Sequence, residues 1–393
     1  MKEVFLAELG IVNALGSTRE AVLGGLLDGR CDGMVRHGPL MSGRSTFIGR
    51  VNSELPAVPP HLAQFDCRNN RLMLLALEQI TTALRDVIAH TGPERVAVVL
   101  GTSTSGIGAG EEALAVRGRA GRFPPGFHYR QQEIGTLAEF TARYLQVEGP
   151  RYTISTACSS SAKAMLSARR LLSAGICDAV VTGGCDSLCR LTLEGFDSLE
   201  AVSAGICNPF SRYRAGINLG EGAAVFLMTR QPARIALLGG GEASDAYHVS
   251  APDPEGRGAA AAMRQALNDA GLAAADIGYL NLHGTGTIQN DAMESHVVSK
   301  VFGPGVPCSS TKSQIGHTLG AAGAQETGLC WLLLSESNMD RRLPQHQWDG
   351  ESDPSLPPIG LTTADSVFGR STMMSNSFAF GGSNVSIIIG SRH

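Results

Sequence analysis

Short runs of aliphatic and β-branched residues alternate along this chain with longer stretches rich in Ala and Leu. Val96–Leu100, Tyr152–Ser155, Ala179–Gly183, Ala223–Met228, Ile277–Leu282 and Val385–Ile389 read as buried strands. Arg71–His90, Ser160–Ala174, Gly258–Ala270 and Ala321–Ser335 read as helices between them. Helices separating short buried strands predict an α/β fold with a mostly parallel, covered sheet.

The pattern also repeats. Val96-Ala-Val-Val-Leu-Gly-Thr-Ser-Thr104 and Ile277-Gly-Tyr-Leu-Asn-Leu-His-Gly-Thr-Gly-Thr287 each run a strand into a Gly-Thr-x-Thr loop. Arg151-Tyr-Thr-Ile-Ser-Thr-Ala-Cys158 and Val306-Pro-Cys-Ser-Ser-Thr-Lys312 each end a strand in a small polar turn before a Gly/Ala/Ser-rich helix. The order is the same both times, which predicts two similar halves, 1–231 and 232–393, joined near Gln231-Pro232. Chance similarity in a Gly- and Ser-rich background is the alternative.

Composition narrows the function classes. Net charge is −4, from 32 basic and 36 acidic residues, and no basic run is longer than two, so no nucleic-acid footprint is present. No apolar stretch approaches a membrane span, and no charged segment leads into a signal-like apolar run, so the chain reads as cytoplasmic with no membrane insertion. The 9 scattered cysteines include no Cys-x-x-Cys pair, which points to reduced thiols and no metal site. Glycine supplies 48 of 393 residues and aromatics only 5%, a balance suited to close helix packing and backbone turns around a ligand.

Four segments carry candidate chemistry. Thr156-Ala-Cys158-Ser-Ser-Ser161 places a thiol where a strand turns into a helix, so the helix dipole favours the thiolate and backbone N–H groups converge nearby. A buried cysteine is also an ordinary small core residue, so the turn alone leaves both readings open. His283-Gly-Thr-Gly-Thr287 follows a strand, and Asp291 and Glu294 come next and can fix its loop. Lys312-Ser-Gln-Ile-Gly-His317 precedes a Gly/Ala helix, with Glu326 nine residues past the histidine. Asn376-Ser-Phe378-Ala-Phe380-Gly-Gly-Ser-Asn384 precedes the last strand, and its two phenylalanines can line or gate a pocket. A Gly-x-Gly-x-x-Gly fingerprint after a strand, a P-loop and a Gly-x-Ser-x-Gly elbow are all missing.

Taken in order, these segments resemble the elongating β-ketoacyl-acyl-carrier-protein synthases, condensing enzymes of the thiolase superfamily. Gly10–Gly16, Asn208-Pro-Phe210 and Leu219-Gly-Glu-Gly222 extend the likeness over essentially the whole chain. The resemblance implies a thiolase-like fold of two βαβαβαββ halves in five αβαβα layers. It implies that Cys158 is the nucleophile that takes the acyl group, and that His283 and His317 bind the malonyl thioester and drive its decarboxylation. Lys312 would set the electrostatics beside His317, with Glu326 behind it. Backbone N–H groups of Cys158 and Phe380 would form the oxyanion hole. Thr285 and Thr287 would contact pantetheine, and Ile107, Phe378 and Phe380 would line or gate the acyl pocket. No cofactor would be bound beyond phosphopantetheine delivered by an acyl carrier protein, and the enzyme would be a homodimer or a heterodimer with a chain-length-factor-like paralogue.

Some positions depart from the common family pattern. Ala379 stands where Gly is usual and is expected to stiffen the gate; Ala215 follows Arg214 where Asp is usual; and Cys158 is followed by three serines. Arg68-Asn-Asn-Arg71 and the Gly101-Thr-Ser-Thr-Ser-Gly106 loop are similar to those of ketosynthases from bacterial aryl-polyene clusters. A non-catalytic chain-length-setting partner would lack the cysteine. A thiolase acting on acyl-CoA would carry a second cysteine in the His317 region.

Overall fold

The computed structural model describes residues 3–392. Ten strands carry the architecture. The first five are β1 (Val4–Val12), β2 (Val96–Gly101), β3 (Arg151–Ile154), β4 (Ala179–Asp186) and β5 (Gly222–Thr229). The second five are β6 (Ile235–Ser244), β7 (Tyr279–Asn281), β8 (Pro307–Ser309), β9 (Thr372–Ala379) and β10 (Ser383–Ser391). Their spatial order is β3-β2-β4-β5-β1 followed by β6-β10-β9-β7-β8, with a short edge strand, Gly360–Leu361, beside β8. Read outward from the junction, both halves use the same order, so the two echoes in the sequence occupy equivalent places: β2 matches β7 and β3 matches β8. Gln231-Pro232 falls in the connection between β5 and β6.

The expectation of a mostly parallel sheet needs correction. Parallel pairing is confined to the flanks, β3-β2-β4 on one side and β9-β7-β8 on the other. Every pairing from β4 through β5, β1, β6 and β10 to β9 is antiparallel. The tight turn at Phe380–Gly382 dictates part of this, since strands joined by so short a loop can only run antiparallel.

Helices α1 (Arg68–Glu78), α2 (Ile107–Ala120), α3 (Thr136–Leu145), α4 (Ser160–Ser173) and α5 (Arg190–Ser198) belong to the first half. In the second half lie α6 (Arg257–Ala270), α7 (Ile288–Phe302) and α8 (Ala322–Leu333). α1 and α3 cover the outer face of the first half, and α6 packs on the outer face of the second with α7 against it. α4 and α8 lie between the two halves and touch strands of both, which gives the five layers. Being enclosed on all sides, α8 has almost every residue buried and no polar face. Met165 and Leu329 of these central helices share one apolar core with Leu9 and Phe226 of one half and Ile387 of the other.

Two other differences from the sequence reading have clear local causes. The single helix expected over Arg71–His90 is two helices, α1 and Thr81–Thr91, because the Gln79 side chain donates to the Ile11 and Ser17 carbonyls and Ile80 leaves helical angles. β6 was not expected, because three consecutive glycines weaken its strand signal. They are needed for packing: a Cβ at Gly239 or Gly241 would come within 2.3 or 2.0 Å of the Ala266 or Ala262 carbonyl oxygen of α6.

Candidate active site

Between β3 and α4 the chain turns sharply at Ala157, a non-glycine residue with φ +51°. Serine hydroxyls hold this turn. Ser160 Oγ accepts from the Thr156 N–H at 2.8 Å and donates to the Ala157 carbonyl at 2.6 Å. Ser159 Oγ donates to the Thr156 carbonyl at 2.8 Å and contacts Ser383 Oγ at 3.1 Å, while Ser161 Oγ accepts from the Ala324 N–H of α8 at 2.9 Å. The three serines after Cys158 thus lock the turn and tie it to the other half. Cys158 Sγ lies 2.9 Å from His317 Nε2, and the Phe380 backbone N–H points at the same sulfur.

The thiol is not poised as a thiolate, contrary to what its place near a helix start suggests. Burial pushes it up to about 12, against the pull of the Lys312 ammonium and the Phe380 N–H. Desolvation of a fully enclosed sulfur outweighs a helix terminus. The nearest group able to take its proton is His317 Nε2, 2.9 Å away.

The two histidines arrive from separate loops of the second half. The Glu294 carboxylate of α7 accepts from the His283 and Gly284 N–H groups, both at 2.7 Å. Asp291 accepts from the Gly286 N–H at 3.2 Å and the Phe210 N–H at 2.8 Å, binding the histidine loop to the Asn208-Pro-Phe210 segment. His317 is held through its backbone, which donates to the Asn218 carbonyl at 2.7 Å and accepts from the Gly220 N–H at 3.0 Å. The imidazoles meet edge to face with centroids 5.3 Å apart. Burial and the Lys312 ammonium hold both well below the usual histidine range, so both are neutral. Each Nδ1 is buried and finds no hydrogen-bond partner among the described residues.

Lys312 and Glu326 form an ion pair in which both side chains are 1% exposed, and the ammonium also donates to the His283 carbonyl. Burial lifts Glu326 to about 7 even beside its partner, and Glu294 reaches about 7 for the same reason. Sulfur and imidazole nitrogens of Cys158, His283 and His317 all lie within 4.8 Å of one another, a donor set a soft metal could use. The neighbouring ammonium and the unpartnered Nδ1 atoms suit proton transfer better, because metal-bound histidines normally donate their second N–H to an outer acceptor.

These groups open into a cleft of about 630 Å³ that Thr285, Thr287, Phe378 and Phe380 also line. Thr287 caps α7, and its hydroxyl sits 2.9 Å from that of Thr285. Phe380 is 39% exposed at the mouth, its ring 5.6 Å from that of Phe196 on α5. Ile107, at the start of α2, does not line this cleft.

A β-ketoacyl synthase N-terminal domain model matches residues 47–233, and a β-ketoacyl synthase C-terminal domain model matches residues 235–345. The whole fold superposes on a ketosynthase (ApeO) solved in complex with its chain length factor (ApeC) from Xenorhabdus doucetiae, with TM-score 0.95 and 47% identity over 100% of this chain and 98% of that one. This chain belongs to the β-ketoacyl synthase family. The 3-oxoacyl-[acyl-carrier-protein] synthase 2 of Rhizobium meliloti is 35% identical over 263 residues, 62% of this chain and 61% of the relative. The enzyme of the same name from Synechocystis sp. is 29% identical over 98% of this chain and 97% of the relative. The first of these alignments thus spans about three-fifths of the relative's length, the second nearly all of it.

Within this ketosynthase frame the departures have physical accounts. Ala379 has extended angles (φ −104°, ψ 152°), so a side chain is accommodated there, and the left-handed turn falls on Gly381 and Gly382. Ala215 lines the cleft, and the buried Arg214 takes its carboxylate from Asp353 at 2.6 Å instead of from a neighbour in sequence. Sequence reasoning assigned no individual role to three further residues. Glu221, fully buried in the Leu219–Gly222 motif, binds Arg68 of the Arg68–Arg71 segment at 2.8 Å. His346 braces the active-site floor: its Nδ1 accepts from the Ser310 N–H at 3.2 Å, and its Nε2 donates to the Pro209 carbonyl at 3.0 Å. Asp186 ends β4 fully buried, and an acidic residue closing the buried Ala179–Gly183 strand was its only visible signal.

Proposed function

We propose that this protein is a decarboxylating condensing acyltransferase that joins a malonyl unit to an acyl group held on Cys158. The nucleophile belongs to the 1–231 half and the two histidines to the 232–393 half. The observation that carries the reading is the 2.9 Å contact between Cys158 Sγ and Nε2 of a neutral, buried His317. As the sulfur attacks an acyl thioester, its proton passes to His317 and then to the departing pantetheine sulfur, leaving acyl-Cys158. N–H groups of Cys158 and Phe380 receive the oxyanion, where one donor is worth roughly 2.7–4 kcal/mol. A malonyl thioester then places its carbonyl oxygen between His283 and His317. Loss of CO2 leaves an enolate that their N–H groups stabilise. Its carbon attacks the acyl-Cys158 carbonyl carbon, the C–S bond breaks, and the released Cys158 thiolate takes a proton from solvent to restore the thiol. Among the described residues no neighbour pins a tautomer at either Nδ1, so His317 can serve as acceptor in the first step and donor in the second.

The substrates would arrive as phosphopantetheine thioesters on an acyl carrier protein, with Thr285 and Thr287 along the arm. The partner subunit would be a chain-length-factor-like paralogue, in an aryl-polyene or related pathway. Three things support this: the 47% identity to a ketosynthase solved with its chain length factor, the outer edge of β3, unpaired among the described residues, and the exposed Leu114, Phe123 and Leu191 on and beside α2 and α5. Intact-protein mass spectrometry after incubation with an acyl-carrier-protein panel tests the reading. The unsubstituted protein should gain one acyl mass and Cys158→Ala none, and acylation of Cys158→Ala would refute it.

A further inference from the structure

Asp186 is fully buried at the seam between the halves, and among the described residues no cationic side chain pairs with it. Its Oδ1 accepts from the Thr102 hydroxyl at 2.7 Å, the Ser103 N–H at 2.8 Å, the Thr104 N–H at 2.7 Å and the Thr104 hydroxyl at 2.8 Å. Its Oδ2 accepts from the Ala321 N–H of the other half at 2.9 Å. One carboxylate therefore holds two loops, the Gly101–Gly106 loop after β2 and the segment that follows His317.

Both loops need holding. Ser105 and Leu319 are non-glycine residues with φ +46° and +48°, conformations that persist only where the surroundings over-determine them. The first loop reaches the nucleophile directly, since Ser103 Oγ donates to the carbonyl of the strained Ala157 at 3.2 Å. The loops also touch, for a Cβ at Gly320 would stand 2.7 Å from Ser103 N. The path Cys158–Ala157–Ser103–Asp186–Ala321–His317 thus closes a ring whose remaining side is the contact between thiol and imidazole.

We propose that Asp186 is a positioning residue for the condensing reaction, fixing Cys158 Sγ against His317 Nε2 by anchoring both of their loops on one carboxylate. This rests on the condensing-enzyme reading. The contribution is geometric: the Asp186 charge by itself pushes the Cys158 thiol up and so opposes the nucleophile. Charge and geometry therefore predict opposite effects on substitution, which makes the two separable.

The test compares Asp186→Asn and Ser103→Ala with the unsubstituted protein. The readouts are the pH profile of iodoacetamide alkylation at Cys158 and the rate of acyl transfer from the carrier-protein thioester that the unsubstituted protein uses. In Asp186→Asn the alkylation profile should move to lower pH while kcat for acyl transfer falls ten- to a hundredfold with KM little changed. Ser103→Ala should lower kcat several-fold without shifting the alkylation profile. A folded Asp186→Asn protein with the original kcat, or with alkylation and acyl transfer lost in parallel, overturns the proposal. If Asp186→Asn does not fold, Ser103→Ala decides, and an unchanged kcat there overturns it. Failure of the unsubstituted protein to accept any acyl group would sink the functional reading instead, and the alkylation profiles would still report whether Asp186 sets the thiol's surroundings.

Discussion

The loops after β2 and β7 occupy equivalent places in the two halves, yet they do different work. Each is gathered by buried carboxylates, one in the first case and two in the second. The first, Gly101–Gly106, closes on Asp186 from the end of β4; the second, His283–Thr287, closes on Glu294 and Asp291 from α7. The first presents only small hydroxyl residues and braces the nucleophile turn, whereas the second delivers an imidazole into the cleft. The turns after β3 and β8 differ in the same way. Serine hydroxyls lock the Cys158 turn, while a buried ion pair locks the Lys312 segment. Duplication supplied one scaffold twice. The nucleophile turn itself is held by neutral hydrogen bonds, with Asp186 as the one carboxylate behind it, whereas the His283 loop and the Lys312 segment are held directly by ionisable groups.

The sharpest way to break this contrast is at Lys312. Removing one member of a buried pair typically costs about 3–5 kcal/mol. Lys312→Met should lie near the lower end, because Glu326, already lifted to about 7, escapes by taking a proton. Denaturant melts should show that loss, and decarboxylation should fall by orders of magnitude. Lys312→Met/Glu326→Gln should recover most of the stability and none of the decarboxylation. Recovery of both would show that the pair only fills space.

Glu294→Gln comes next. The carboxylate accepts two backbone N–H bonds, each worth about 1.5–3 kcal/mol when the acceptor is charged. The amide leaves one N–H of the loop facing an NH2 group. Release of CO2 from a malonyl thioester should drop at least tenfold, while acylation of Cys158, which needs His317 but not the His283 loop, should stay within twofold. An equal loss in both steps would mean that the His283 and His317 loops are not mechanically separate.

Much of this division was legible in the sequence, for identifiable reasons. Cys158, His283 and His317 stand in Gly-, Ala- and Ser-rich surroundings that only close backbone packing explains, so their segments stood out. β2, β4 and β5 were readable as runs of aliphatic residues, whereas β9, Thr372–Ala379, carries Ser375, Asn376 and Ser377 into the interior and offers no such run. Asp186, Glu221 and His346 were given no individual role because their partners lie far away in the chain. Asp186 binds Thr102 across 84 positions, Glu221 binds Arg68 across 153, and His346 binds Pro209 across 137. The thiol's acidity was misjudged because a helix start is visible in sequence and complete burial is not.

The smallest expected effect is a pH dependence confined to the second half. Burial lowers His346 to about 4 from an ordinary 6.5, and its Nδ1 accepts from the Ser310 N–H, so a second ring proton would oppose that donor. A folded value below the unfolded one means that the stabilisation is complete above 6.5 and is lost as pH falls toward 4. At pH 5 this amounts to about 2 kcal/mol relative to neutral pH. Because His346 joins Ser310 to Pro209, the loss should loosen the floor beneath the His283 loop and leave the serine-locked Cys158 turn untouched. Hydrogen exchange at pH 5 against pH 7, corrected for intrinsic rates, should show lost protection around 283–287 and 308–312 but not around 156–161. In His346→Gln the difference around 308–312 should vanish, and its survival there would place the acid-sensitive group elsewhere. Any remainder at 283–287 belongs to Glu294, which is lifted to about 7 and accepts from the His283 and Gly284 N–H groups.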